Sequence, residues 1–285
     1  MIEEKLRLAI AKRISGLLSG EYSSWQMNPR GHDLEEKRKF RLGDDPRSVD
    51  LLATAKRDDS DPRVSVHRVE KAANIVFLLD ASRSIRFGTV LLKYAYLIEF
   101  TRQLTSACSG EGNRFRFVAF DDGIRYDSGF IASQAIAEDQ LQELLKLPAR
   151  ACTTNLSAAL TGLSHGNGQS GLDTPGIVFI ISDFLFENSF RLQLNQLSER
   201  VDVIALFVRD PAEIELPRPK FGFVRLVDPE TGKKFIARKA ANLIDRLAPI
   251  LRRSGIDWLE LNTGHEIGEA FKNLAELFEK RKEQP

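Results

Sequence analysis

Two rhythms of apolar and polar positions run along the chain. From about residue 74 onward, short apolar runs bounded by polar residues alternate with longer stretches of helical character. The runs "NIVFLLD" (74–80), "GIVFIISDF" (176–184) and "VDVIALFVRD" (201–210) look like strands buried on both faces of a parallel sheet. "RFRFVAF" (114–120) alternates and then runs apolar. "IRYDSGF" follows it after Asp121, Asp122 and Gly123, where the D-G pair predicts a hairpin turn. Between these strands, "TVLLKYAYLIEFTRQL" (89–104) has no Gly or Pro and predicts a mostly buried helix. "AEDQLQELLKL" predicts a helix closed by Pro148, and "NLSAALTGLSH" and "ENSFRLQLNQLSER" predict two more. Strands alternating with helices on both faces make the doubly wound α/β plan.

Three stretches depart from that alternation. "FVRLVDPETGKKFIA" (223–237) predicts a hairpin around the turn "DPETG", an insertion or edge ribbon. Residues 1–73 begin with an amphipathic helix and pass into the charge-dense, Gly- and Pro-punctuated "NPRGHDLEEKRKFRLGDDPRSVD". Their apolar content is too thin for a core of their own, so residues 1–73 are expected to form an extension leaning on a main domain of residues 74–285. The last stretch, "EIGEAFKNLAELFEKRKEQP", predicts an amphipathic helix fraying into a polar tail.

Composition narrows the function classes. The chain has 41 Lys and Arg against 40 Asp and Glu, a balance that gives no electrostatic case for nucleic acid or a membrane surface. No apolar run approaches the roughly 18 residues needed to cross a bilayer. The first helix intersperses charge among its apolar residues, unlike a secretory signal. Two cysteines, Cys108 and Cys152, are too few for a disulfide framework and lack metal-type spacing, which points to a cytoplasmic, reducing location. The four histidines show no ligand pairing.

Chemistry concentrates where strands end. In open α/β sheets, ligands bind beyond the carboxyl ends of the strands. Three polar signals fall there: "DASRS" after the strand at 74–79, "TTNLSAAL" (153–160) opening a helix, and "SDF" (182–184). If the loops converge, Asp80, Ser82, Ser84, one threonine and Asp183 surround a single point with oxygen donors and no sulfur or imidazole. That ligand set suits hard cations such as Mg²⁺ or Mn²⁺, which take six oxygens and keep some waters. The i, i+2, i+4 spacing lets alternate residues of a turn aim their side chains one way. The competing reading is structural, because Asp and Ser also serve at strand ends and helix N-caps by accepting orphan backbone N–H groups.

D-x-S-x-S, then a threonine, then an aspartate ending a later strand resembles the metal-ion-dependent adhesion site of von Willebrand factor type A domains. The matching threonine there precedes a small polar residue and a leucine at a helix start, which fits Thr154-Asn155-Leu156 better than Thr153. Upstream, Gly43, Asp44, Asp45, Arg47 and Asp50 resemble the G-D-D-x-R-x-I-D-W motif of bacterial domain-of-unknown-function family fifty-eight, with Val49 for isoleucine and Leu51 for tryptophan. "LVDPETG" resembles that family's later turn. The resemblance implies a Rossmann-like type A domain, mostly parallel, with helices on both faces. It implies a non-enzymatic protein-binding module in which Asp80, Ser82, Ser84, Thr154 and Asp183 hold Mg²⁺, or Mn²⁺ or Ca²⁺. A protein partner would supply a carboxylate to the ion, with Arg83, Asn155 and Phe184 as rim contacts. Members are commonly encoded beside MoxR-type AAA+ ATPases, so the implied role is a partner or adaptor of such an ATPase in protein assembly or remodelling. Many carry transmembrane helices ahead of this region, and this chain is expected to be a soluble member.

Other motifs carry less. "GNGQSG" satisfies G-x-G-x-x-G through Gly166, Gly168 and Gly171, but follows a helix and precedes a strand, the reverse of a dinucleotide site. No G-x-x-x-x-G-K-[ST] is present, so no ATP hydrolysis by the chain itself is expected. A metal-dependent hydrolase using Asp80 as nucleophile is the alternative. Such sites want a second carboxylate two residues on and a lysine nearby, whereas position 82 is serine and Arg83 is the neighbouring cation.

Overall fold

The structure, a computed structural model, describes residues 33–39, 62–68, 74–109, 112–150, 153–165, 176–185, 190–215, 224–227, 234–237 and 243–283. The expected N-terminal helix, the Gly43–Asp50 motif, Cys152, the "GNGQSG" loop and the "DPETG" turn lie outside them.

Strands β1 (Asp33–Lys39) and β2 (Arg63–Arg68) pair antiparallel within a compact unit of residues Ser15–Ala72, with Lys39 opposite Arg63. The sequence reading did not foresee them. "DLEEKRK" shows no alternation of apolar residues, so only backbone pairing to the V-S-V of β2 marks it as a strand.

In the second unit, β3 (Asn74–Asp80), β4 (Arg114–Phe120), β5 (Ile124–Asp127), β6 (Gly176–Ser182), β7 (Asp202–Arg209) and β10 (Asp257–Asn262) form one sheet in the order β10-β7-β6-β3-β4-β5. Every pairing is parallel except β4 with β5. Every residue of β3 and β6 is buried, as their unbroken apolar runs predict for central strands of a parallel sheet. The mostly parallel, Rossmann-like α/β plan expected from the sequence is the plan observed. Strands β8 (Val224–Val227) and β9 (Lys234–Ala237) form the expected hairpin as a separate two-stranded ribbon.

Helices α1 (Lys93–Ala107), α2 (Gln134–Leu145), α3 (Leu156–His165), α4 (Arg191–Ser198), α5 (Pro211–Ile214), α6 (Leu243–Arg253) and α7 (Ile267–Glu283) surround the sheet. Alternate strand residues feed opposite layers. Val76, Leu78, Val178, Ile180 and Phe207 pack with Leu160, Leu194 and Leu251 from α3, α4 and α6. Residues of the other parity include Phe77, which stacks on Phe117 and on Phe179 at 5.5 Å each. Among the described residues, no helix is long and apolar enough to cross a membrane.

One expected helix begins late. The sequence predicts a mostly buried helix over 89–104, but α1 starts at Lys93, and Val90, Leu91 and Leu92 are exposed. The Asp210 carboxylate takes the backbone N–H of Thr89 at 2.6 Å and its hydroxyl at 2.7 Å, holding this segment as a loop. A Cβ on Gly88 would stand 2.1 Å from the Leu91 carbonyl oxygen, so the loop's tight turn admits glycine alone there. The sequence pattern predicts none of α5, α6 and β10, and Pro249 inside α6 blunts its helical pattern.

Candidate metal centre

Strand order decides where a ligand can sit. From β3 the chain moves to β4 and β5 on one side, then crosses to β6 and β7 on the other. The loops after β3 and β6 therefore diverge, leaving a crevice at their carboxyl ends, the usual ligand position in open α/β sheets. Asp80 ends β3 and Asp183 follows β6, so the register itself brings the two carboxylates to the switch point.

The structure joins four of the five expected ligands. Asp80, Ser82, Ser84 and Asp183 are all buried. The Ser82 and Ser84 hydroxyl oxygens are 3.1 Å apart, and the Ser84 hydroxyl donates to Asp183 Oδ1 at 3.3 Å. The Ser82 N–H donates to Asp80 Oδ1 at 2.8 Å, which curls the chain so that both serines face one way. A short helical turn, Ser84–Arg86, completes the curl. Thr154 is half-buried just ahead of α3. Its neighbour Asn155 donates its backbone N–H to the Asp121 carbonyl at 2.7 Å, while the Ala81 N–H donates to the Phe120 carbonyl at 2.7 Å. The threonine loop and the Asp80 loop are thus both tied to the end of β4.

Of the three expected rim residues, Arg83 and Asn155 are exposed. The Asn155 side chain caps α3 by accepting the Ala158 N–H at 3.0 Å. Phe184 corrects the expectation: it is 1% exposed and stacks on Phe207 at 4.3 Å, so it belongs to the core. Its φ of 53° is a conformation bulky residues rarely adopt, with a cost of about 1–3 kcal/mol. Two local bonds hold it. Its N–H donates to Ser182 Oγ at 2.8 Å, and the next N–H, of Leu185, donates to Asp183 Oδ1 at 3.2 Å. The turn buries the aromatic ring and puts Leu185, 44% exposed, on the rim in its place.

Sequence reasoning missed three members of the site, Ser182, Lys93 and Glu213. Ser182 donates its hydroxyl to Asp80 Oδ2 at 2.5 Å. Lys93, fully buried, donates to Asp183 Oδ2 and to Glu213 Oε1, at 2.7 Å each. The signal for Lys93 was a lone cation inside "VLLKYAYLI"; a buried lysine demands anionic partners.

The electrostatics follow from burial. Burial, and then the Asp183 charge, push the Asp80 carboxyl up to about 7 against the hydrogen bonds from Ser182 and Ser82. Burial works against the Lys93 charge, but Asp183 and Glu213 outweigh it and raise the ammonium's pKa above its usual value. Lys93 pairs with Asp183 and Glu213, while Asp80 lies buried beside a second carboxylate.

These residues fit a hard cation. An octahedral ion bound at about 2.1 Å sets neighbouring ligand oxygens about 3.0 Å apart. The hydroxyl spacing and the Ser84–Asp183 spacing match that edge. Among the described residues, no group of three or more His, Cys, Asp or Glu is placed to hold a metal, so any ion here relies on the hydroxyls beside two carboxylates.

Comparison with known proteins agrees with this architecture. The conserved hypothetical protein BatB from Bacteroides thetaiotaomicron superposes with a TM-score of 0.52 at 13% identity, covering 75% of this chain and 100% of that one. An aerotolerance-related membrane protein from Bacteroides fragilis gives a TM-score of 0.51 at 12% identity, covering 73% and 100%. At these identities the likeness is one of fold. In sequence, the uncharacterized protein Rv1480 of Mycobacterium tuberculosis is 25% identical over 274 residues, 92% of this chain and 84% of that protein. The family described as "Protein of unknown function DUF58" matches residues 36–248, most of the chain, and the chain belongs to that family.

Proposed function

We propose that this chain is a non-enzymatic, metal-dependent protein-binding module. Asp80, Ser82, Ser84, Thr154 and Asp183 would hold Mg²⁺ or a similar divalent ion at the switch point. The observation that carries the reading is the spacing of the buried Ser82, Ser84 and Asp183 oxygens, 3.1 and 3.3 Å. When bound, such an ion supplies a coordination position open to an anionic oxygen from outside. The chain's own residues do the rest: the Asp80 and Asp183 carboxylates attract the ion, and backbone N–H groups of Ser82 and Leu185 fix their orientation.

The surroundings favour a protein over a small anion. Phe87, Val90, Leu91, Leu92 and Leu185 are exposed apolar side chains on the two loops that carry the site, and Ile214 ends α5 beside Glu213. A carboxylate ringed by apolar contacts is the chemistry of an acidic side chain on a folded partner. The family resemblance supplies a candidate partner, a MoxR-type AAA+ ATPase, with the chain acting as its adaptor in a cytoplasmic setting.

One observation favours the hydrolase alternative: Lys93, distant from Asp183 in sequence, supplies a lysine beside the carboxylates. Its ammonium is already held by Asp183 and Glu213, however, and position 82 remains serine, so the binding reading is preferred. Titration with Mg²⁺ and Mn²⁺ tests it. Asp80→Ala should abolish ion binding while the circular dichroism spectrum stays native; unchanged ion binding refutes the assignment, and phosphatase turnover by the native chain would replace it with the alternative.

A further inference from the structure

We infer that Lys93 is a tethered cation that competes with the divalent ion for the charge of Asp183 and so sets the ion affinity of the site low. The inference rests on the reading of the Asp80–Asp183 cluster as a metal centre and concerns how that centre is regulated.

Lys93 is 0% exposed, and its ammonium lies 2.7 Å from Asp183 Oδ2 and 2.7 Å from Glu213 Oε1. Asp183 is divided between two tasks. Its Oδ1 faces the serine cluster, accepting the Ser84 hydroxyl, and its Oδ2 is held by the lysine. An ion reaching the cluster therefore meets a carboxylate already neutralised from behind, with a positive charge one carboxylate away. In a buried site such repulsion is not screened as it is at the surface. Full burial and a carboxylate on each side hold the ammonium in place, and the loop before α1 is pinned by Thr89 to Asp210. It also lies 5.9 Å from the Phe87 ring centroid, packed under the loop.

The arrangement has a functional consequence. An ion held weakly by the chain alone is held firmly once a partner's carboxylate adds negative charge to the shell. Ion and partner then bind cooperatively, each raising the affinity for the other by the same factor. Glu213 tunes the device from the far side, since it draws part of the lysine's charge away from Asp183.

Mn²⁺ titration by calorimetry, with Mn²⁺-induced thermal shift as a second readout, tests this on the full chain. Lys93→Met should bind Mn²⁺ at least about tenfold more tightly than the native chain and gain a larger thermal shift, whereas Glu213→Gln should weaken binding. Lys146→Met removes a solvent-exposed cation, 69% accessible, and should change affinity by less than about twofold. Should Lys93→Met leave two buried carboxylates unpaired and fail to fold, Lys93→Met combined with Glu213→Gln removes that imbalance. The double variant should then bind about tenfold more tightly than Glu213→Gln alone. If the native chain binds Mn²⁺ and loss of Lys93 leaves the affinity equal or weaker, the inference is overturned and the metal centre stands. A gain matched by Lys146→Met likewise overturns it, as a general field effect. If native and variant chains fold yet neither binds Mn²⁺ or Mg²⁺, the metal reading fails and takes the inference with it.

Discussion

In the ion-free protein, Asp80 should make stability fall as pH rises through the range where most proteins are indifferent. Its carboxyl is pushed from 3.8 to about 7 by burial and by Asp183. Between those values the folded chain holds a proton that the unfolded chain has released, so the unfolded state gains on each step up in pH. The interval of about three pH units, at about 1.4 kcal/mol for each, sets an upper bound of about 4 kcal/mol lost between pH 4 and pH 7. Asp80→Asn keeps the shape and removes the titration. Its amide oxygen can accept the Ser82 N–H, and its NH₂ can donate to Ser182 Oγ, so the fold is retained. The window is clean from below. The Asp127 and Asp210 carboxyls lie below their usual range, because hydrogen bonds from Arg116 and Gly129, and from Thr89, Ala212 and Thr263, overcome the burial that opposes their charge. Their stabilisation is lost only as pH falls below about 4. Asp121, raised by burial, adds to the Asp80 trend with the same sign and survives the substitution. The assay is urea denaturation with a chelator present, from pH 4.5 to 7.5. The native chain should lose stability across the window, and Asp80→Asn should remove most of that loss. Excess Mg²⁺ should flatten the native curve as well, by favouring the ionised carboxylate. An equal slope in the native chain and in Asp80→Asn, or a native stability that rises through the window, would refute the reasoning.

Two further outcomes follow from the same residues. Asp210→Ala removes the acceptor for the Thr89 N–H, the Thr89 hydroxyl and the Ala212 N–H, and should cost about 1–3 kcal/mol in a denaturant titration while amide exchange accelerates at Thr89. Exchange at Thr89 equal to the native rate would show that the loop is held otherwise. Leu185→Glu, at an exposed position, should leave the melting temperature within a degree or two and the Mn²⁺ affinity undiminished, yet weaken capture of an acidic partner at least tenfold in a surface-binding assay; undiminished capture would remove the apolar rim from the interface.

The sequence displayed some features of this molecule more plainly than others. β3 and β6 were legible because a strand buried on both faces must be apolar throughout, and so were the aspartates ending or following them, because no apolar contact explains a carboxylate there. Phe184 and Leu185 were not. Which of two adjacent apolar residues turns inward depends on a single φ of 53°, and periodicity cannot report a backbone angle. The partners of Lys93 were not legible for a related reason. A lysine in an apolar helix reads as one charge on a solvent face until the fold brings Asp183, 90 residues away, to its ammonium. Strand β1 failed the pattern test because seven residues rich in charge give no alternation to detect.

The buried Lys93 and the exposed loop that precedes it bear on each other. The loop 87–92 keeps its apolar side chains exposed, at a cost in hydration, because polar bonds fix it at both ends. Thr89 is tied to Asp210, and Lys93 to Asp183 and Glu213. Asp210 and Glu213 in turn close a capping box on the four-residue α5, in which the Asp210 N–H donates to Glu213 Oε2 at 3.0 Å. The Asp80–Asp183 cluster, the apolar loop and α5 are therefore joined by one continuous network of hydrogen bonds and ion pairs rather than being three neighbours. Releasing Asp183 from Lys93 would leave the ammonium to Glu213 alone and change the anchoring of the very loop that a partner would cover. A site that served only to cap strand ends would need Asp80, Ser82 and Ser182; it would have no use for a buried lysine bridging its second carboxylate to the base of an exposed apolar loop.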